Sequence, residues 1–448
     1  MSVHSPPRTE LIDQAYREGY SLPQVAYTNE NIFAAEMANV FLANWLFAAP
    51  SSAIPTEGQL TWSVAGESVV LSRTADDVLH AHHNVCRHRG SRLLPDGRRR
   101  SRAIVCGYHA WSYGLDGAFR AAGNMGDHFR SRCGPNLGLQ PVHVRECSGF
   151  VFVCFAVDPP PFDGAASAIR QHVSAYEIER TQEVARYHYR VAANWKILVE
   201  NNRECYHCRP NHPEFCLSNF DLGMNGDRRT NAAYDAQVSL QRQRWHEQEL
   251  PSQAFDFPDG SFYRVARLPL RDGFETESMS GRLVAPPLGR LAGTSGGGMY
   301  AGSVRIVTLP NSWNHVNADY VVTSRLTPVR VDVTDVEVTF LVRDDARAGA
   351  DFALDDVVTV WKETSEQDWG LCERNFAGVR SRGYLPGPLS PVTEQSVMEF
   401  HQWWLRPSAP RHHPPSLHQK EARCPTFHLP PSSLSSVRAS TAFPPRGT

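Results

Sequence analysis

No stretch of this 448-residue sequence holds 18 uncharged apolar residues, so no segment reads as a transmembrane helix. The first twenty residues mix charges with Pro6 and Pro7 and lack the apolar core of a signal peptide. A cytoplasmic protein is therefore expected. An excess of charge of either sign is missing too: 45 Lys and Arg face 47 Asp and Glu, a formal net charge of -2. No long basic run interleaves with aromatics, which argues against nucleic acid as a partner. Cysteine is too sparse for a disulfide scaffold. Ten cysteines in a cytoplasmic chain are better explained as metal ligands and buried thiols. No internal repeat is visible.

The chain is too long for one ordinary core, and two domains plus a tail is the natural division. Ile32, Phe33, Met37, Val40 and Phe41 share one helical face behind Asn29, a favoured N-cap. From about 58 to 156, short β-type runs such as Glu67 to Ser72, Val78 to Val85 and Phe150 to Ala156 are broken by turn residues, with Asp116-Gly117 as a hairpin signal. The following region is mixed. A helix is predicted from Trp195 to about Cys208, capped by Asn194, and another over 354–375; strands are predicted around Val304 to Leu309, Tyr320 to Leu326 and Val336 to Val342. The expected class is α+β, an all-β domain followed by an α+β domain with an antiparallel sheet and helices.

Gly, Pro and small residues between Gly281 and Gly302 mark a long loop and a candidate lid. Gly296 to Ala301 formally matches a dinucleotide fingerprint, but a β-type run follows it instead of a helix, so no nicotinamide site is expected. From Pro407 onward, nine prolines and seven serines in 42 residues read as a disordered tail, with an onset abrupt enough to suggest a frameshifted end.

Two clusters carry metal chemistry. Cys86-x-His88 and Cys106-x-x-His109 supply two thiolates and two imidazoles. This inventory suits a two-iron two-sulfur cluster with His on one iron, a structural zinc being the alternative that the surroundings disfavour. Gly90, Gly107 and Gly114 leave room for backbone amides near cluster sulfides, and Tyr108, Trp111 and Tyr113 are candidate shields. Arg87, Arg89, Arg92, Arg98, Arg99, Arg100 and Arg102 surround these loops, as a solvated face or as a surface steering an acidic electron donor. In the second cluster, helical spacing would put Glu200, Glu204 and His207 on one face, with His212 just beyond. Two His and one carboxylate form a facial iron triad with open positions opposite. Asp368 lies on the inner stripe of the helix over 354–375 and is the candidate carboxylate, the alternative being a buried Asp paired within the protein. Cys205, Cys208, His212 and Cys216 could instead form a zinc knot.

Asn84 to Gly90 and Cys106 to Trp111 resemble the two cluster-binding loops of Rieske oxygenases, and Asn194 to Pro213 resembles the iron-binding segment of their alpha subunits. The resemblance implies a 2Fe-2S cluster on Cys86, His88, Cys106 and His109. It implies mononuclear Fe(II) on His207, His212 and, through Gln367-Asp368, Asp368. Glu204 stands where the family has an acid linking the cluster of one subunit to the iron of the next. Implied domains are an N-terminal segment, 1–41, packing on the catalytic domain; a Rieske domain, 42–160; a helix-grip-like catalytic domain, 161–406; and the tail, 407–448. Asn201 to Cys208, Leu309 to His315 and Tyr384 to Pro388 are similar to the glycine betaine monooxygenase group, whereas Phe376 stands where that group usually has Gln. That similarity implies O2-dependent hydroxylation of an N-methyl group of a quaternary ammonium compound, releasing formaldehyde. It also implies an NAD(P)H-dependent flavin and iron-sulfur reductase as partner, and a homotrimer. The same-class alternative is an aromatic-ring hydroxylating dioxygenase; an iron-sulfur electron carrier would leave the second cluster without a use. Trp313, Tyr206 and Phe215 are candidate faces for the cation, each contributing roughly 0.5 to 2 kcal/mol.

Overall fold

The computed structural model describes residues 10–125, 137–220, 228–293 and 300–406. The expected tail therefore lies outside the described residues, as do 296–299 of the rejected fingerprint. The strand Ser303–Thr308 does follow that fingerprint.

After the short helices Glu10–Ala15, Gln24–Thr28 and Glu30–Glu36, the chain from Leu46 to Cys154 is built on β-strands. A four-stranded antiparallel sheet orders Leu79–His83, Glu67–Arg73, Gly58–Val64 and Gly97–Arg100. Beside it are two three-stranded sheets, Leu46–Pro50 with Phe150–Cys154 and His143–Cys147, and Ile104–Val105 with Ser112–Tyr113 and Phe119–Ala121. Phe150–Cys154 is buried on both faces, which is why its sequence is continuously apolar instead of alternating. The Asp116-Gly117 hairpin forms with Gly117 at φ +76°, and a Cβ there would come within 2.1 Å of His82 Nε2. Only glycine meets both demands.

The later part is built on a seven-stranded antiparallel sheet. Its order is Thr181–Val191, Val333–Arg343, Val321–Arg330, Ser312–Val316, Ser303–Thr308, Tyr263–Leu268, Phe255–Asp256. Of the predicted stripe Leu354, Val357, Val358, Trp361, Ser365, Asp368, Cys372 and Asn375, the 26-residue helix Leu354–Val379 buries Val357, Val358, Trp361, Ser365 and Cys372 and half-buries Asp368, while Leu354 and Asn375 at the two ends of the stripe are exposed. Phe376 is buried on the same helix. The α+β class read from the sequence is the one observed. Among the described residues no helix is long and apolar enough to cross a membrane.

Three expectations need correction, the third being the place of Glu200. The helix capped by Asn194, whose side chain accepts the Lys196 amide at 3.1 Å, ends at Asn202 and does not continue to Cys208. Asn201 and Asn202 are weak helix formers, and the Glu204 carboxylate then captures the amides of Tyr206 and His207, a side-chain-to-backbone arrangement that competes with helix. The Gly281–Gly302 segment is not a lid in its described part. Ala285, Leu288 and Leu291 are buried, and the Leu288 amide donates to the Ala318 carbonyl at 2.8 Å.

Both ends of the described chain converge on the helix Trp195–Asn202. Glu36, fully buried at the end of the helix Glu30–Glu36, accepts from Lys196 Nζ at 2.6 Å, Trp195 Nε1 at 2.8 Å and Trp404 Nε1 at 2.9 Å. Glu200 is not turned toward Glu204 and His207; it accepts from Tyr27 Oη at 2.8 Å and lies 2.8 Å from His401 Nε2.

Candidate metal centres and their cavity

The two Cys/His loops are built alike. The Cys86 amide donates to the Ser91 carbonyl at 2.8 Å and the Gly90 amide to the Cys86 carbonyl at 3.0 Å. In the second loop the Cys106 amide donates to the Trp111 carbonyl at 2.8 Å and the Ala110 amide to the Cys106 carbonyl at 3.0 Å. The residue four past each cysteine has positive φ, +76° at Gly90 and +55° at Ala110, the latter an uncommon conformation for a residue with a side chain. Matched turns bring the His88 and His109 rings to 4.6 Å, with both cysteines buried. His88 stacks on Trp111 at 4.8 Å, and Tyr113 Oη lies 3.3 Å from Cys86 Sγ while accepting the Arg87 amide at 3.0 Å. Burial works against a thiolate at Cys106, but hydrogen bonds from the Tyr108 and His109 amides and from Cys86 prevail and lower its pKa. His88 Nδ1 is buried with no hydrogen-bond partner among the described residues. An orphaned imidazole nitrogen beside a favoured thiolate at Cys106 fits a cluster. Trp111 and Tyr113 are buried as expected of shields, whereas Tyr108 is 58% exposed and is not one. Of the surrounding arginines, Arg92, Arg98 and Arg102 are paired with Asp96, Glu183 and Glu57. Arg87 and Arg89 remain exposed near the histidines.

The second centre joins two distant segments. His207 Nε2 and His212 Nε2 lie 3.2 and 2.9 Å from the same oxygen, Asp368 Oδ1. His212 Nε2 and Asp368 Oδ1 are buried yet not aligned as a hydrogen bond, which is the arrangement of ligands aimed at a shared ion. Each imidazole is oriented from its other nitrogen. His207 Nδ1 is 2.5 Å from Glu204 Oε1, and His212 Nδ1 is 2.8 Å from Gln367 Oε1, whose amide donates to Glu214 at 3.0 Å. Carbonyl and carboxylate acceptors at Nδ1 turn both Nε2 lone pairs toward a metal, with Asn201 Nδ2 the other neighbour of His207 Nε2, at 3.4 Å. Burial opposes a positive charge on His207, yet Asp368 and Glu204 raise its pKa to about 10; burial likewise opposes ionisation of Asp368, which the two histidines nevertheless favour. The field selects a cation, and iron fits this donor set. Cys205 and Cys208 are joined to each other in a disulfide, which corrects the expectation of free thiols there and removes the zinc-knot reading.

The triad opens into a cavity of about 710 Å³. The sheet forms one wall, and its period of two selects most of the residues that face inward, Asn314 lining the cavity in addition. Arg264, Ala266 and Leu268 line it from one strand, Arg305 and Val307 from the next, and Trp313 and His315 from the third, with Arg305 opposite His315 and Val307 opposite Trp313. The helix Leu354–Val379 forms the facing wall through Trp361, Thr364 and Asp368, at helical spacing. Phe215 lines the cavity and packs edge-on to Trp361 at 5.7 Å, and Trp313 lines it too. Tyr206 is 43% exposed and lies outside the cavity wall, because the turn after Asn202 carries it to the surface. The sequence reading missed Arg305, His315 and Trp361 as cavity residues. Trp361 carried a signal, since it lies on the same stripe seven residues before Asp368; the buried Glu277 behind it carried none.

The family of Rieske [2Fe-2S] domains matches residues 44–130, and that of the ring hydroxylating alpha subunit (catalytic domain) matches 178–408. The chain is 37% identical to the glycine betaine monooxygenase oxygenase subunit of Chromohalobacter salexigens, covering 87% of this chain and 86% of that one. It is 35% identical to the subunit of the same name from Pseudomonas aeruginosa, covering 86% and 88%. The crystal structure of the quaternary ammonium Rieske monooxygenase CntA with L-carnitine superposes with a TM-score of 0.63 at 22% identity, over 87% of this chain and 96% of that one. Matched in both domains and over most of its length, the chain belongs to the Rieske non-haem iron oxygenases, as an alpha subunit with a two-iron two-sulfur cluster and a mononuclear iron.

Proposed function

We propose that this enzyme hydroxylates an N-methyl group of a quaternary ammonium compound such as glycine betaine. The observation that carries the reading is the ring-lined cavity opening on the triad. Trp361, Trp313 and Phe215 offer aromatic faces to a cation that has no hydrogen to donate, so attraction by ring quadrupoles is the means of holding it. Similarity to glycine betaine monooxygenase subunits over most of the chain supports the same substrate class. In this reading Cys86, His88, Cys106 and His109 hold the cluster and His207, His212 and Asp368 hold the iron. Bound iron supplies oxygen activation. One atom of O2 enters the methyl carbon and the other leaves as water, with two electrons and two protons consumed. The carbinol then loses its hydroxyl proton to solvent and releases formaldehyde as the C–N bonding pair returns to nitrogen, leaving the tertiary amine. Electrons come from a nicotinamide-dependent reductase.

Glu204 is proposed as the link along which electrons from a neighbouring subunit's cluster reach the iron, in a head-to-tail trimer. Its carboxylate bonds the Nδ1 side of His207 and is 14% exposed, so it connects the ligand to the surface. Exchange of inactive His109→Ala subunits with inactive His207→Ala subunits should restore part of the activity. Proven exchange without recovery would remove the link.

The substrate test is direct. Glycine betaine, reductase, reduced nicotinamide and O2 should give formaldehyde and dimethylglycine in equal amounts. Oxidation of an aromatic ring with no amine product would replace the reading with the ring hydroxylase.

A further inference from the structure

We infer that Arg305 is the anion seat of the iron cavity, holding the carboxylate of a zwitterionic substrate whose ammonium end lies toward Asp368. The inference rests on the function proposed above and narrows it, from quaternary ammonium compounds in general to those bearing a carboxylate.

Arg305 reaches the cavity because it alternates with Val307 on the inward face of its strand. Its Nη2 donates to Glu277 and, at 2.7 Å, to Asn219 Oδ1. Its Nη1 is buried and has no acceptor among the described residues. A guanidinium held on one edge and unsatisfied on another is prepared for a further acceptor. The charge is also prevented from moving. Glu277 is fully buried and, besides Arg305, accepts from Trp361 Nε1 at 2.9 Å and Asn317 Nδ2 at 3.1 Å, so one carboxylate fixes both the arginine and the indole.

Position supplies the second argument. The Arg305 guanidinium lies 5.2 Å from the centre of the Trp361 ring, against which Phe215 and His315 also pack, at 5.7 and 3.9 Å. Trp361 precedes Asp368 by seven residues on one helix, about 10 Å along its axis. Arg305 therefore stands at the far end of an aromatic surface that begins near the metal ligands. A small betaine laid along that surface puts a methyl group at the iron and its carboxylate at Arg305. His315 Nδ1, buried without a partner among the described residues and directly opposite Arg305 in the sheet, offers a second polar contact there. What sets Arg305 apart from the other cavity arginines is the ring it meets. Arg264 is paired with Asp256 at 3.3 Å, and Arg203, whose Nε and Nη2 are likewise buried without an acceptor among the described residues, lies over Phe257 at 4.8 Å, whereas Arg305 lies over Trp361.

The test compares holo-oxygenase and its Arg305→Gln variant in equilibrium titrations with two matched pairs, glycine betaine with choline and benzoate with benzyl alcohol. Glycine betaine is expected to bind the wild type at least tenfold tighter than choline, and Arg305→Gln to abolish that preference while leaving choline unmoved. If only the benzoate pair binds, and benzoate alone is weakened in the variant, the anion seat stands and the quaternary ammonium reading falls. Equal weakening within a pair, weakening of neither member, or no binding of either pair by the wild type overturns the seat. Arg305→Gln leaves the buried Glu277 without its cation, so Arg305→Gln/Glu277→Gln, neutral at both positions, must repeat the result with an unchanged cluster spectrum. Arg305→Lys keeps the charge but loses the fork, and should fall between wild type and Arg305→Gln for the carboxylate member alone.

Discussion

His212 Nδ1 lies 2.8 Å from Gln367 Oε1, and Gln367 immediately precedes Asp368. Two neighbours on one helix thus supply one proposed ligand and the group that orients another. Gln367→Leu should weaken mononuclear iron binding by about 10- to 100-fold without disturbing the cluster. Competition with an iron chelator measures the first, and the visible spectrum the second. Undiminished affinity would mean that His212 is oriented by packing alone.

Asp368→Ala should lower iron from about three to about two atoms per chain, because cluster and mononuclear iron draw on separate segments. Metal analysis counts the atoms, and paramagnetic resonance of the reduced protein should still show the Rieske signal. Full iron content with full turnover would return Asp368 to the reading of a buried carboxylate satisfied by its two histidines.

Lys196 and Glu36 are both fully inaccessible and 2.6 Å apart. Burial pushes the lysine pKa down, and Glu36 opposes that push. Breaking such a pair from one side strands a charge at a cost of roughly 3–5 kcal/mol, so Lys196→Met should be strongly destabilised and Lys196→Met/Glu36→Gln much less so. Denaturant unfolding of the three proteins checks the order. A double variant as unstable as the single one would show that the packing of the lysine stem, not charge, dominates.

Acid should loosen the Rieske domain through His82. Burial first, then the neighbouring His80, depress its pKa from 6.5 to about 4. The unfolded chain therefore takes up this proton before the folded one does. Stability present above about pH 6.5 drains away as the pH falls toward 4, up to a limit of roughly 3 kcal/mol. Melting temperatures across that window should decline in the wild type and decline less in His82→Gln. Parallel slopes would exclude His82 as the group responsible.

What could be read from the sequence depended on how local the causes were. The cluster loops were legible because each is a self-contained turn in which spacing fixes geometry. Asp368 was legible because a 3.6-residue period places a carboxylate on an apolar stripe. The helix end at Asn202 was not, since it follows from the Glu204 side chain capturing amides ahead of it, a choice that periodicity does not encode. Tyr206 was misplaced for the same reason. Arg305 was hidden in another way. Strand alternation gives its face, but that it meets Trp361 and Glu277 depends on a helix some fifty residues later and an irregular segment some thirty residues earlier.

The junction at Glu36 bears on the order in which the protein assembles. Its partners lie 160 and 368 residues further along the chain, and His401 meets Glu200 across 201 residues. By contrast, the cluster loops close on hydrogen bonds spanning only a few residues. During synthesis the cluster loops can settle while the rest of the chain is still emerging. The helix leading to His207 gains its full support only after Trp404 has been made. Contacts of such long sequence separation form late, so the local turns of the cluster loops can close before the support around His207 is complete.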